Sequence, residues 1–205
     1  MTTISVVETN PLIRRGLKRI LTERGYNIAV IAETLDDMLL SNIHHKPQIL
    51  ILEPLFQDQS AYEKLALLRS YNPKLKTLIL SISESYYHIQ QSLQMGIEGY
   101  VCKSWPLETL FESIEEIEEG KHAYSKEQFQ HKDKYPNDAR VLSSLTRREF
   151  QVLRMFGAGK SIKTISQEMN LSNKTISTYK VKMMQKMATN NVIDIVDLAR
   201  RNFLF

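Results

Sequence analysis

QILILEPLF (residues 48–56) decides how this chain is read. Its first five residues carry an unbroken apolar run, Ile49 to Leu52, the pattern of a strand buried on both faces. The run ends at Glu53 and Pro54. A carboxylate at the tip of a buried strand costs free energy unless a partner meets it, so this strand must end in a polar site. Comparable runs stand on either side, namely ISVVE (4–8), NIAVIAE (27–33), TLILSIS (77–83) and GYVCK (99–103). Helical patterns separate them. Asn10 and Pro11 open the first, with Leu12, Gly16, Leu17, Ile20 and Leu21 at helical spacing. Thr34 with Asp36 and Asp37 opens a short second helix, and Ser60 with Glu63 forms a capping-box pattern ahead of Leu65 and Leu68. A helix over roughly 85–95 stops at Gly96. Pro106 opens another, striped by Leu107, Leu110, Phe111, Ile114 and Ile117 and ended by Gly120.

Five strand–helix pairs predict an α/β domain, a five-stranded doubly wound parallel sheet with helices on both faces. Such sheets place their sites beyond the C-terminal ends of the strands. That rule gathers Glu8 and Thr9 after strand one, Glu53 after strand three, Ser81 near the end of strand four and Lys103 after strand five.

At 205 residues, 42% hydrophobic and 24% charged, the chain suits two globular domains. No run of about 18 apolar residues predicts a membrane span, and the start MTTISVVETNP lacks the basic and apolar regions of a secretion signal. A cytoplasmic protein with no membrane partner is expected. The single cysteine, Cys102, excludes an internal disulfide and a cysteine metal cluster, and reads as a small buried strand residue. His44, His45, His88, His122 and His131 show no metal-ligand spacing and read as solvated surface residues. The net charge of +4 hides an asymmetry, because residues 141–205 carry +7 and residues 1–140 carry −3. A basic module on an acidic body points to a polyanionic partner.

That basic module is helical throughout. Thr146 and Glu149 make a capping box, and Phe150, Val152, Leu153 and Phe156 form the apolar face behind it. Ser161 caps IKTISQEM, Ser172 caps NKTISTYKVKMMQKM and Asn191 caps VIDIVDLARRNFLF. Two short helices joined by a tight turn and followed by a basic helix make a helix-turn-helix pattern. In the basic helix, Ile176, Met183, Met184 and Met187 line one face, and Lys174, Ser177, Thr178 and Val181 line the opposite one. Residues 121–143 are polar and carry no clear period.

With these residues in view, the chain resembles a response regulator of the NarL/FixJ type over nearly its whole length. The segment LTRREFQVLRMFGAGKSIKTISQEMNLSNKTISTYKVKMMQKM resembles the LuxR-type helix-turn-helix, and LSNKTISTYK is similar to the BvgA/EvgA branch. VVETNPLIRRGL, LILS and GIEGYVCK resemble a receiver domain. The resemblance implies a flavodoxin-like receiver domain over 1–122, a linker over 123–143 and an all-α, four-helix DNA-binding domain over 144–205. It implies base-edge contacts from Ser177, Thr178 and Val181, and phosphate contacts from Lys174, Thr175, Tyr179, Lys180 and Lys182. The partner is then double-stranded DNA, and the apolar last helix pairs two copies into a homodimer.

The resemblance breaks where the family's chemistry resides. The acidic pair after strand one is Glu8-Thr9, the phospho-accepting Asp is Glu53, and the turn beyond it reads PLFQDQ. Ser81 and Lys103 match the family's hydroxyl and lysine, and Tyr100 matches its switch aromatic, open between plain packing and movement. Thr9 removes a hard anionic metal ligand, and the extra methylene of Glu53 shifts its carboxylate by about 1–1.5 Å. A displacement of that size can cost on the order of 10²-fold in rate, so phosphorylation is expected to be lost or very weak. Glu53 then either pairs structurally with Lys103 or partly mimics a phosphorylated acceptor. The function expected is a DNA-binding transcription regulator independent of phosphorylation, with no enzyme activity, cofactor or metal of its own. The alternatives are an auxiliary regulator that heterodimerises with a conventional response regulator, and a weakly phosphorylatable one.

Overall fold

The computed structural model describes residues 1–41, 46–53, 59–124 and 137–204. The readings placed on His44, His45, His131, the turn at 54–58, most of the linker and Phe205 lie outside these residues. The chain divides into two compact units, one of residues 1–82 and 89–124, the other of 83–88 and 137–204.

The first unit is built on β1 (Thr3–Val7), β2 (Asn27–Ala32), β3 (Ile49–Leu52), β4 (Lys76–Ser81) and β5 (Gly99–Cys102). These pair in the order β2-β1-β3-β4-β5, every pair parallel, as the alternation of strand and helix predicts. Its helices are α1 (Pro11–Glu23), α2 (Leu35–Ser41), α3 (Gln59–Tyr71), α5 (Leu107–Glu118) and α4 (Tyr86–Gln94) from Ile89 onward, residues 86–88 being counted with the second unit. Strand residues alternate between two faces. Ile4, Val6, Ile49, Ile51, Leu78, Leu80 and Val101 form one buried cluster with Leu17 and Leu21 of α1 and Leu110, Phe111, Ile114 and Ile117 of α5. Val7, Leu50, Leu52, Ile79 and Tyr100 point the other way, and Met38, Leu65, Leu68 and Ile89 of α2, α3 and α4 are buried as well. Gly99 meets a spatial demand at the start of β5. A Cβ there would lie 2.8 Å from Leu78 Cδ1 and 2.9 Å from Ala123 Cβ, where the chain returns to bridge Gly99 in parallel.

The register sets up the site. Val7 pairs with Leu52, and Ser81 pairs with Cys102. Glu8, Glu53 and Lys103 each follow a paired strand end by one residue, and the Glu53 N–H donates to Val7 O while the Lys103 N–H donates to Ser81 O.

The second unit holds α6 (Asp138–Ser144), α7 (Arg147–Gly157), α8 (Ile162–Met169), α9 (Asn173–Met187) and α10 (Val192–Arg201). Thr146 makes the reciprocal capping box with Glu149, and Ser161, Ser172 and Asn191 each accept backbone N–H bonds at the starts of their helices. Val152, Leu153, Phe156, Ile165, Ile176, Met183, Ile195, Leu198, Ala199 and Leu204 make the core.

Four local readings change. Residues 138–143, assigned to the linker, form α6 together with Ser144 and bury Val141 and Leu142 in the second core. Their helical pattern is one turn of apolar residues in a polar setting, too short to show a period. Helix α3 starts at Gln59, so Ser60 is a helical residue and not its cap. Leu107, read as part of the apolar stripe of α5, is exposed. His88 is only 1% exposed, against its reading as a surface residue, whereas His122 is exposed.

Candidate functional site

The strand ends bring three charged side chains together. The Lys103 Nζ donates to Glu53 Oε1 at 2.6 Å. The same ammonium lies 2.6 Å from Glu8 Oε2, an ion pair without the alignment of a hydrogen bond at that oxygen. The Thr9 hydroxyl donates to Glu53 Oε2 at 2.8 Å, so both oxygens of Glu53 are engaged. Glu8 is held from its other side by the Asn10 N–H, 2.8 Å from Oε1. Arg14, one turn into α1, donates to the carbonyls of Glu8 and Thr9 at 2.6 and 3.1 Å and clasps the turn that carries them. Sequence reading passed over Arg14, whose only signal is its place one turn beyond the cap Asn10. Ser81 is buried at the end of β4, and Tyr100 is fully buried within β5.

The two carboxylates respond differently to one lysine. Glu8 is 1% exposed, and this burial, with Glu53 beside it, raises its pKa above the ordinary carboxylate value against the pull of Lys103. Burial also pushes Glu53 upward, but the hydrogen bonds it accepts, from Lys103 first and then from Thr9, hold it below the ordinary value. The difference follows from environment: Glu8 is sealed from water, whereas Glu53 has both oxygens bonded.

The receiver chemistry implied by the sequence calls for a Mg²⁺ held by oxygen ligands. The donor set does not fit one. Both oxygens of Glu53 are taken, by Lys103 and by Thr9, and Thr9 offers a neutral hydroxyl, already committed to Glu53, in place of a second acid. Among the described residues, no group of three or more His, Cys, Asp or Glu side chains is arranged to hold a metal ion.

The second candidate surface lies on α9. Ser172 Oγ accepts from the Thr175 N–H at 3.0 Å and fixes the helix start, after Asn170 turns the chain in the left-handed conformation (φ 53°). Ile176 and Met183 are buried, and Met184 and Met187 pack at the edge of the core. Lys174, Thr178, Val181 and Lys182 are exposed, while Thr175, Ser177, Tyr179 and Lys180 are half-buried. The Thr178 hydroxyl donates back to the Lys174 carbonyl at 2.9 Å, which leaves its lone pairs directed outward to accept a donor. On α10, Ile195, Leu198 and Ala199 enter the core, and Ile193 is 62% exposed.

Family models match both parts. Residues 4–115 match the response regulator receiver domain, and residues 143–199 match the bacterial regulatory proteins of the luxR family. The chain is 27% identical over 207 residues to the Bordetella pertussis protein BvgA, named for transcription regulation of virulence factors, with 98% of each covered. It is 24% identical over 206 residues to the response regulator GacA of Pseudomonas protegens, covering 98% of this chain and 97% of that one. The solved structure of two RcsB dimers on two parallel DNAs shares the fold at 19% identity, with a TM-score of 0.60 and 98% of each chain covered.

Proposed function

Because the chain belongs to the response regulators that join a receiver domain to a luxR-family DNA-binding domain, we propose that it regulates transcription through a receiver that acts without phosphorylation. The observation that carries this reading is the Lys103 ammonium, already bound 2.6 Å from Glu53 and 2.6 Å from Glu8. A phosphorylated receiver draws its lysine onto new phosphoryl oxygens. Here the longer acid at the acceptor position reaches the lysine by itself, and Thr9 steadies its second oxygen. The arrangement favours one state permanently, and a carboxylate, with one negative charge against nearly two for a phosphoryl group, mimics it in part.

In this reading α9 enters the major groove, with Ser177, Thr178 and Val181 toward base edges. Lys174, Thr175, Tyr179, Lys180 and Lys182 lie toward the phosphates. A protein that works on chromosomal DNA in a bacterium acts in the cytoplasm. The exposed Ile193 on α10 supports a two-fold homodimer that reads an inverted repeat with half-sites about one helical turn apart. The same apolar patch would serve a heterodimer with a conventional response regulator, which is the second reading. Mass in solution, alone and with such a partner, separates them. Incubation with Mg²⁺ and a small phosphodonor, read by intact mass, tests the main claim. An unchanged mass is expected, and a phosphoryl adduct removed by Glu53→Gln would overturn it.

A further inference from the structure

The basic residues of α9 are not all alike. Lys186, in its last turn, lies off the Lys174–Thr178–Val181 face when the helix is turned at 3.6 residues per turn. Its Nζ donates to Glu149 Oε2 at 2.6 Å and to the Ser144 carbonyl at 2.8 Å. Glu149 is 3% exposed and uses the same Oε2 to accept the Thr146 N–H at 2.8 Å. One ammonium thus joins the end of α6, the capped start of α7 and the end of α9. The far end of α6 is anchored as firmly. Asp138 accepts from Arg201 Nε and NH2 at 2.6 and 2.7 Å, and from Asn202 Nδ2 at 2.7 Å.

We propose that Lys186 and Glu149 are positioning residues for DNA recognition, which fix the angle at which α9 projects from the domain, and that Lys186 does not serve as a phosphate contact. A buried carboxylate with one strong acceptor oxygen shared by a cap and a lysine tolerates little displacement of either. The side chains that read bases extend from the same rigid helix, so a small tilt at Lys186 moves Thr178 and Val181 relative to the groove. Consistent with this pairing, Glu149 is held below the ordinary carboxylate value, because the bonds from Lys186 and Thr146 outweigh the upward push of burial.

The inference rests on the DNA-binding reading, and its test separates the two. The full chain would be titrated with a duplex that the wild-type protein enriches from a randomised library, and with a scrambled duplex, over a range of salt. Lys186→Met and Glu149→Gln should each weaken the enriched duplex about tenfold, with the double variant no worse than either single one. Binding to the scrambled duplex and the salt slope should stay unchanged. Lys186→Arg, which keeps the pair and the fold, should bind as wild type does. A Lys186→Met protein whose salt slope falls by about one and which weakens both duplexes equally would show a phosphate contact and overturn the proposal. Full specific affinity in Lys186→Met would overturn it as well. A wild-type protein that enriches no duplex would overturn the DNA-binding reading first, and this proposal with it.

Discussion

Lys103 Nζ stands 2.6 Å from Glu53 and 2.6 Å from Glu8, so one half-buried cation balances two carboxylates. Removing the cation leaves the buried Glu8 and the half-buried Glu53 without their counter-charge, and Lys103→Met should cost about 3–5 kcal/mol of stability. Glu53→Gln leaves Lys103 paired with Glu8 and should cost about 1 kcal/mol. Urea denaturation of the two variants checks the order, and equal losses would mean that Glu8 and Lys103 do not interact in solution.

Glu53 also separates a structural pair from a regulatory one. If it holds the active arrangement, Glu53→Gln at matched folded concentration should lower DNA affinity or dimerisation. Unchanged binding and self-association by that variant would reduce Glu53 to a structural partner of Lys103, and regulation would then have to lie in protein abundance or in a partner.

The burial of His88 predicts a pH dependence of definite sign. Burial lowers its pKa from 6.5 to about 3, and its Nδ1 lies 2.9 Å from Ser83 Oγ. Below pH 6.5 the unfolded chain takes up a proton that the folded chain refuses. Stability is therefore full above that pH and falls as pH drops toward 3, by at most about 1.4 kcal/mol per pH unit. Urea midpoints at about pH 7.5 and about pH 5.5 should show the loss, and His88→Gln should flatten it. Equal pH dependence in the two proteins would place the titrating group elsewhere.

On α9 the two kinds of contact have different signatures. Lys180→Ala and Lys182→Ala should each weaken all duplexes alike and reduce the salt slope by about 0.9. Thr178→Ala should change preference among sequences by roughly 1–3 kcal/mol. Specific binding that survives all three changes would show that another face meets DNA.

Helix α6 predicts a loss that a linker would not show. Leu142 is 2% exposed in the second core, so Leu142→Ala should destabilise by about 2–5 kcal/mol. A change within about 0.5 kcal/mol would return residues 138–143 to the linker.

Ile193 reports on self-association. Placing a charge on that exposed apolar side chain, Ile193→Glu, should leave stability near wild type and shift a dimer to monomer by light scattering. A dimer that persists would need a different face.

What the sequence by itself determined are the features whose physics is local. Asn10, Ser161, Ser172 and Asn191 cap their helices through bonds that span two or three residues, and the apolar runs of the strands announce burial without reference to any partner. The alternation of strands and helices then allowed few topologies, and the strand-end rule gathered Glu8, Thr9, Glu53, Ser81 and Lys103. Tertiary structure decided how they share charge. Glu8 and Glu53 are 45 residues apart in sequence and read alike, yet strand register buries one beyond the reach of water and gives the other Thr9 and an aligned bond from Lys103. The helix over 138–144 and the bond from Lys186 to Glu149 were decided in the same way. Each depends on packing between elements distant along the chain, and a local pattern contains no term for it.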